Sequence, residues 1–178
     1  MARQNWRIWR SGIDVDHIKA LLSHQGTQDA TTVGGPRPDI RVSRVAWETG
    51  NKALQDMLWP YVADMSRVCG IEVNNSCEIQ YTEYLGEVSG KYDWHVDVDW
   101  TRDEPLDRKL SLTVQLSSPD EYEGGEFDFS SDIEGLPDWC KDQGTVLVFP
   151  SYLAHRVRPV TSGVRRSLVA WFDGPRWR

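Results

Sequence analysis

Apolar and polar residues alternate along several short stretches in the second half of the chain, which predicts β-strands. In residues 77–85, Gln80, Thr82 and Tyr84 share one face, and Ile79 and Tyr81 share the other. Residues 110–116 place four apolar side chains opposite three polar ones: Leu110, Leu112, Val114 and Leu116 against Ser111, Thr113 and Gln115. Further strands are predicted at residues 40–47, 145–149 and 165–172, and another after the turn at Gly124 and Gly125.

A helical spacing of apolar residues marks the N-terminal part of the chain instead. Ser11 and Asp14 form an S-x-x-D pattern that predicts a helix start, and Gly26 predicts its end. A second amphipathic helix is predicted from apolar residues at positions 54, 57, 58, 61, 62 and 65. Pro60 lies inside this pattern and is expected to kink the helix or to displace its start. Residues 25–38 are rich in Gly, Thr and Pro and predict a loop, either a surface connection or a mobile lid.

Helices followed by short strands favour a β-sandwich or barrel with helices on one side. The polar faces of the strands have two interpretations. They line a ligand site in the mouth of the sandwich, or they face solvent. Alternation alone does not separate these two possibilities.

The most informative stretch is YDWHVDVDW, residues 92–100. Read as a strand, it places His95, Asp97 and Asp99 on one face, and Trp94, Val96, Val98 and Trp100 on the other. An imidazole and a carboxylate presented together are two of the three ligands of a facial triad, which binds Fe(II) and leaves coordination positions open. His17 and His24 lie in the early helical stretch, so His155 is the candidate for the third ligand. Arg165 follows on the next predicted strand.

Composition narrows the class of protein. A length of 178 residues suggests one domain, and a net charge of −7 argues against a general binder of nucleic-acid backbones. No apolar run approaches the roughly 20 residues of a membrane helix, and no secretory signal is recognisable. Cys69, Cys77 and Cys140 lack a C-x-x-C spacing and are read as reduced thiols. We therefore expect a cytoplasmic protein with no nucleic-acid or membrane partner.

Six motifs occur in an order that resembles one family. They are Y-L-G, H-V-D, L-S-L-T-V-Q-L, Y-E-G-G-E-F, G-T-V-L-V-F-P-S and H-R-V-R-P-V-T-S-G-V-R-R-S-L-V-A-W-F, from about Cys77 to Trp171. The chain resembles the Fe(II)- and 2-oxoglutarate-dependent dioxygenases, in the prolyl 4-hydroxylase-like branch. The resemblance implies a single domain over residues 1–178, mainly β. Residues 71–178 would form a double-stranded β-helix (jelly-roll) core, and residues 1–70 a helical support packed on one side.

The resemblance also implies roles for individual residues. His95, Asp97 and His155 would be the ligands of Fe(II). Arg165 would pair with the distal carboxylate of 2-oxoglutarate, because a guanidinium pairs bidentately with a carboxylate; Arg166 is the rival. Tyr84 is a candidate for a hydrogen bond to 2-oxoglutarate.

Five other positions have less definite roles. Tyr92 and Trp171 are interpreted as pocket wall. Thr113 and Gln115 either face the pocket or occupy ordinary sheet positions. Asp99 is interpreted as a carboxylate at the rim of the site or behind its ligands rather than as another ligand.

The activity implied is oxidative decarboxylation of 2-oxoglutarate to succinate and CO2, coupled to hydroxylation of a C–H bond. Fe(II), 2-oxoglutarate and O2 would be required, with ascorbate supportive. We expect the target to be a prolyl residue of a peptide or protein. The alternatives are oxygenation of a free small molecule such as an amino acid, and a non-catalytic jelly-roll binding module. The segments at residues 25–38 and 100–107 are expected to flank a peptide groove, and the net charge favours a neutral or basic peptide.

Overall fold

The computed structural model describes residues 5–32, 35–101, 103–130 and 133–178. Two α-helices lie in the first half of the chain, α1 at Val15–Leu21 and α2 at Lys52–Cys69. The strands that precede or flank them are β1 Arg7–Trp9, β2 Gln28–Asp29, β3 Arg41–Val42 and β4 Arg44–Trp47. The later strands are β5 Cys77–Leu85, β6 Lys91–His95, β7 Leu106–Gln115, β8 Tyr122–Gly124, β9 Phe127–Phe129, β10 Val146–Pro150, β11 His155–Val157 and β12 Val160–Pro175.

Both helices are capped by short polar side chains. Asp14 accepts hydrogen bonds from the backbone at the start of α1, and Asn51 does so for Leu54 at the start of α2. Gly70 ends α2 in the left-handed conformation. Pro60 lies inside α2 and does not displace its start, because the Asn51 cap sets that start eight residues earlier in the chain. Neither helix is long and apolar enough to cross a membrane in the part of the chain described.

The described strands form two antiparallel sheets. The larger sheet has eight strands, with the path β1-β10-β7-β12-β5-β4-β2 and β8 paired to β12. The smaller sheet has four strands in the order β3-β6-β11-β9. β12 lies between β5 and β7, so Val169 pairs with Gln80 on one side and with Thr113 on the other.

The larger sheet separates the core from the site. Its apolar face packs on the helices: Leu110, Leu112, Val114, Leu168, Ala170 and Phe172 contact Leu54, Leu58, Val62 and Met65. Its other face turns toward the smaller sheet and carries Thr82, Tyr84, Ser111, Thr113, Arg165 and Ser167, all in the cavity wall or directly behind it. The polar faces predicted from the sequence therefore line an interior cavity rather than bulk solvent.

Three predicted elements need correction. The strand predicted over residues 40–47 is divided at Ser43, because β3 joins the smaller sheet and β4 the larger one. The first helix starts at Val15 with Asp14 as its cap, not with Ser11, and it ends at Leu21 rather than near Gly26. The strand predicted over residues 92–100 ends at His95.

A buried carboxylate ties α1 to the start of α2. Glu48 is only 2% exposed and accepts hydrogen bonds from Ser23, His24 and Asn51, with distances of 2.7–3.0 Å. Burial opposes its ionisation, but the hydrogen bonds from Asn51, Ser23 and His24 outweigh that cost and lower the pKa of Glu48 to about 2. His24 therefore belongs to this structural network rather than to the candidate site.

Candidate metal and co-substrate site

His95, Asp97 and His155 meet at one point between the two sheets. His95 ends β6, His155 begins β11, and these two residues are paired across the smaller sheet. Asp97 follows β6, where its backbone N–H donates to Ser151 O at 2.8 Å. One donor atom from each of the three side chains lies within 4.8 Å of the other two. The three residues singled out in the sequence are thus brought together by neighbouring strand ends.

The donor atoms fit a divalent metal. Nδ1 of His95 lies 2.8 Å from Asp93 O, and Nδ1 of His155 lies 2.8 Å from Leu153 O. These carbonyls fix Nδ1 as the protonated nitrogen and leave the Nε2 lone pairs facing the centre. Each Nε2 lies 3.6–3.7 Å from an oxygen of Asp97, longer than a hydrogen bond. Two imidazole nitrogens and one carboxylate oxygen are the donor set of a facial triad.

The protonation states suit this donor set. Burial, reinforced by the neighbouring His155, lowers the pKa of His95 to about 3, so its imidazole is neutral at pH 7. Burial opposes ionisation of Asp97, but His155, His95 and the Ser111 hydroxyl outweigh it and hold the pKa of Asp97 below its usual value. A neutral imidazole and an ionised carboxylate are the ligand forms that a metal requires.

Arg165 lies in the same cavity as the three donor residues. It is 5% exposed, its guanidinium carbon is 5.5 Å from the ring centroid of Tyr84, and no ion pair joins it to a carboxylate among the described residues. Arg166 points to the opposite face of β12 and pairs with Glu83, Nε to Oε1, at 3.3 Å. Strand parity therefore places Arg165, and not Arg166, in the cavity.

The backbone at Gly125 packs closely against the side chain of Arg165. Gly125 has a φ of +65°, and a Cβ there would lie 2.9 Å from Cδ of Arg165 and 2.9 Å from Cγ2 of Val160. The hydroxyl of Tyr122, on β8, accepts a hydrogen bond from Gln115 Nε2 at 3.0 Å, and Arg165 interacts with the same hydroxyl. The Y-E-G-G-E-F motif thus surrounds the arginine that the sequence singled out.

The remaining predicted residues divide into two groups. Tyr84, Tyr92, Thr113 and Trp171 line the cavity that holds the metal donors, and Gln115 lines the adjoining cavity at Arg165. Asp99 instead accepts hydrogen bonds from the backbone and side chain of Thr101, at 2.9 and 2.7 Å, and is not part of the three-residue cluster. Of the segments expected to flank a groove, residues 33–34 and 102 lie outside the described residues.

Sequence reasoning missed three contributors to the site. Arg41 lines the cavity and its guanidinium carbon is 4.6 Å from the ring centroid of Tyr92. Ser111 donates to Asp97, and Ser151 lies beside Ser111. The alternation of residues 110–116 already put Ser111 on the polar face, whereas no pattern in the N-terminal part of the chain pointed to Arg41 or to a site there.

The fold is that of solved prolyl hydroxylases. The crystal structure of a Pseudomonas putida prolyl-4-hydroxylase matches with a TM-score of 0.71 and 19% identity, covering 96% of this chain and 94% of that one. A Trichoplax adhaerens prolyl hydroxylase, solved in complex with a peptide fragment of the hypoxia inducible factor oxygen degradation domain, matches with a TM-score of 0.66 and 13% identity, covering 95% and 83%. These likenesses confirm the predicted fold, a mainly β jelly-roll with helices on one side.

The sequence comparison then gives the family. The model of the 2OG-Fe(II) oxygenase superfamily matches residues 79–173, more than half of the chain. A PKHD-type hydroxylase of Synechococcus is 37% identical over 168 residues, which cover 93% of this chain and 66% of that protein. The matched segment covers less than half the length of several other PKHD-type hydroxylases. The chain belongs to the 2OG-Fe(II) oxygenase superfamily, whose members use Fe(II), 2-oxoglutarate and O2.

Proposed function

We propose that the protein is an Fe(II)- and 2-oxoglutarate-dependent dioxygenase that hydroxylates a prolyl residue of a peptide or protein, with release of succinate and CO2. One observation carries this proposal. His95, Asp97 and His155 share an interior cavity with Arg165, a buried arginine without a carboxylate partner among the described residues. A triad for a metal and a cation for a dicarboxylate, in one cavity, are the two requirements of this chemistry.

Each residue then has a defined task. His95, Asp97 and His155 would hold Fe(II), which supplies the oxidising chemistry with O2 and 2-oxoglutarate. Arg165 binds the distal carboxylate of 2-oxoglutarate, and Tyr84 lies beside it as a second contact for the co-substrate. Phe127 and Phe149 pack against the ring of His155, with centroids 5.3 and 4.8 Å away, and exclude water from the metal side of the cavity.

The peptide assignment is supported by the names of the fold neighbours, two of which are prolyl hydroxylases and one of which was solved with a peptide. Exposed aromatic side chains near the site agree with it. Trp47 is 47% exposed, and its ring centroid is 6.1 Å from that of Trp171 in the cavity wall. Tryptophan side chains are suitable walls for an extended proline-rich ligand, which loses little entropy when it binds.

A free small molecule such as an amino acid is the second candidate substrate. The observation that favours it is Arg41, a guanidinium in the cavity wall whose hydrogen bonds within the described residues go to neutral side chains. Such a group suits the carboxylate of an amino acid.

The test is incubation with Fe(II), ascorbate and 2-oxoglutarate, using proline-rich peptides and free proline as alternative substrates. Mass spectrometry of the products would show one added oxygen, and succinate would be measured in the same samples. Hydroxylation of a peptide supports the proposal. Hydroxylation of free proline but of no peptide would replace it by the second candidate. Absence of succinate under all conditions would contradict the oxygenase assignment itself.

A further inference from the structure

Only the ring of Tyr92 separates the guanidinium of Arg41 from the imidazole of His95. It pairs with Tyr92 across β3 and β6, and its guanidinium stacks on the Tyr92 ring at 4.6 Å. The Tyr92 ring in turn stacks on the imidazole of His95, with centroids 3.4 Å apart and planes inclined by 9°. The three groups form a stack in the order guanidinium, phenol, imidazole. A ligand held by Arg41 therefore lies close to the position where a substrate is oxidised.

The hydrogen bonds of Arg41 leave its charge uncompensated. Its Nε donates to Ser43 Oγ at 2.9 Å and its Nη2 donates to Gln80 Oε1 at 2.7 Å, and both acceptors are neutral. The same Gln80 oxygen also accepts from Thr82 at 3.3 Å. A guanidinium has five N–H donors, so these two bonds fix its orientation while leaving others available. No ion pair joins Arg41 to a carboxylate in the described part of the chain.

Neighbouring arginines differ in this respect. Arg108 stacks on Trp171 and pairs with Glu78, and Arg156 stacks on Trp94 and pairs with Asp128. Arg165 is the other cavity arginine without a carboxylate among the described residues, and 2-oxoglutarate accounts for it under the proposed function. A half-buried cation in a cavity wall is costly unless an anion meets it. Arg41 thus has no anionic partner among the described residues, and a bound ligand could supply one.

A second donor in the same cavity lacks an acceptor. Trp171 is 6% exposed and lines the cavity, yet its Nε1–H is buried without a hydrogen-bond partner in the described structure. Buried polar groups are nearly always hydrogen-bonded, so such a donor calls for an acceptor from a ligand. The cavity therefore contains two groups, the Arg41 guanidinium and the Trp171 indole N–H, that can donate hydrogen bonds to a ligand.

We propose that Arg41 determines substrate specificity by binding a carboxylate of the substrate, with Trp171 Nε1–H donating to an acceptor on the same molecule. This inference rests on the proposed function and names the substrate class: a molecule with a carboxylate close to the carbon that is hydroxylated. Three sources have this chemistry, namely a free amino acid, the C-terminus of a peptide, and an acidic side chain next to the target residue.

The test uses substrates in matched acid and amide pairs. The pairs are proline and prolinamide, a peptide ending in proline as free acid and as amide, and a peptide with an internal proline beside glutamate or glutamine. Binding is measured by calorimetry under anaerobic conditions with Fe(II) and 2-oxoglutarate, so that no turnover occurs. We expect at least one acid to bind roughly 30-fold more tightly than its amide, because an unpaired cation is left with the amide. The acid and amide pair that differs in affinity shows whether the carboxylate belongs to a free amino acid, a peptide C-terminus or an acidic side chain.

Variants assign the preference to Arg41. Arg41→Gln should abolish the acid preference, and Arg41→Lys should retain part of it. Arg44→Gln is the matched control, since Arg44 is exposed on the adjoining strand and contacts Thr27 O rather than the cavity. Thermal unfolding verifies that each variant is folded.

Two results would overturn the inference. One is that no pair shows an acid preference in the wild type, and the other is that Arg41→Gln weakens binding of 2-oxoglutarate instead of changing the acid preference. The proposed function is tested separately, by conversion of 2-oxoglutarate to succinate in air. If that conversion fails, the anaerobic binding measurement still decides the role of Arg41.

Discussion

Ser111 donates a hydrogen bond of 2.6 Å to Oδ2 of Asp97. Its own oxygen lies 2.9 Å from Ser151 Oγ, and both serines are buried. Asp97 lies beyond the end of β6, so strand pairing does not hold it in place. The two serines, together with the bond from Asp97 N to Ser151 O, therefore orient its carboxylate toward the histidines.

Ser111→Ala is expected to lower metal affinity about 10-fold, since loss of a hydrogen bond behind a metal ligand typically costs 10–100-fold. The measurement is titration with Fe(II) under anaerobic conditions. Ser162→Ala, on the exposed part of β12, is the control. Equal affinities in the two variants would show that Ser111 does not orient Asp97.

Alanine at His95, Asp97 or His155 is expected to abolish turnover of 2-oxoglutarate while leaving the fold intact. Each replacement removes one of three donors, and none of these side chains belongs to the core between the larger sheet and the helices. Metal analysis and thermal unfolding of His155→Ala provide the measurement. Full iron occupancy with normal activity would contradict the metal assignment.

Arg165→Ala should raise the concentration of 2-oxoglutarate required, at a cost of roughly 2–5 kcal/mol in binding, because a carboxylate is left unpaired in a desolvated cavity. Arg166→Ala, which loses only the pair with Glu83 on the other face, should have a much smaller effect. The dependence of succinate formation on 2-oxoglutarate separates the two variants. Reversed phenotypes would make Arg166 the anchor.

Gly125→Ala should also weaken 2-oxoglutarate binding, because it displaces the side chain of Arg165. At a φ of +65°, the added methyl group meets Cδ of Arg165 and Cγ2 of Val160 at 2.9 Å, so that the arginine must move. We expect weaker 2-oxoglutarate binding, unchanged metal affinity and a loss of about 1–3 kcal/mol in stability. Gly135→Ala is a control, because its Cβ would meet no atom within 4 Å. Unchanged co-substrate binding would indicate that Arg165 tolerates the displacement.

The lowered pKa of Glu48 predicts that the free energy of unfolding decreases in acid, independently of the metal site. Its pKa is lowered from 4.5 to about 2 in the folded protein, so its contribution is complete above 4.5 and is lost as the pH falls toward 2. That contribution is about 3 kcal/mol. Glu48→Gln should be less stable than wild type at pH 7, and the difference should shrink below pH 4.5. Urea unfolding at several pH values measures it, with exposed Glu87→Gln as control. A difference that is constant with pH would exclude this role.

Much of the larger sheet followed from the sequence, because alternation reports directly which face of a strand is buried. β5 was predicted with its observed bounds, and residues 110–116 had the observed faces. Asp97 was correctly grouped with His95 and His155, although the strand that suggested the grouping ends at His95. Asp97 can lie beside His95 either two residues further along a strand or in a turn after the strand. The cluster was therefore predicted correctly although the predicted local conformation of Asp97 was wrong.

Other features depend on contacts between distant segments, which periodicity does not encode. β3 and β4 are adjacent in sequence but join different sheets, and only the division at Ser43 brings Arg41 to Tyr92. The buried Glu48 network likewise joins two distant segments, Ser23 and His24 on one side and Glu48 and Asn51 on the other, with no common pattern. The S-x-x-D pattern predicts a helix start at Ser11 because capping motifs are local, whereas the backbone N–H of Ser11 donates to Thr145 Oγ1, just before the distant β10.

β12 has a consequence for the order in which the chain acquires structure. It is the last of the described strands, it carries both Arg165 and Trp171, and it fits between β5 and β7, which come much earlier in the chain. Pairings between segments so far apart form slowly, because loop-closure entropy must be overcome first. The cavity therefore forms only when β12 has paired with both β5 and β7. Ligands that need this cavity bind the completed fold and slow its opening rather than guide its assembly.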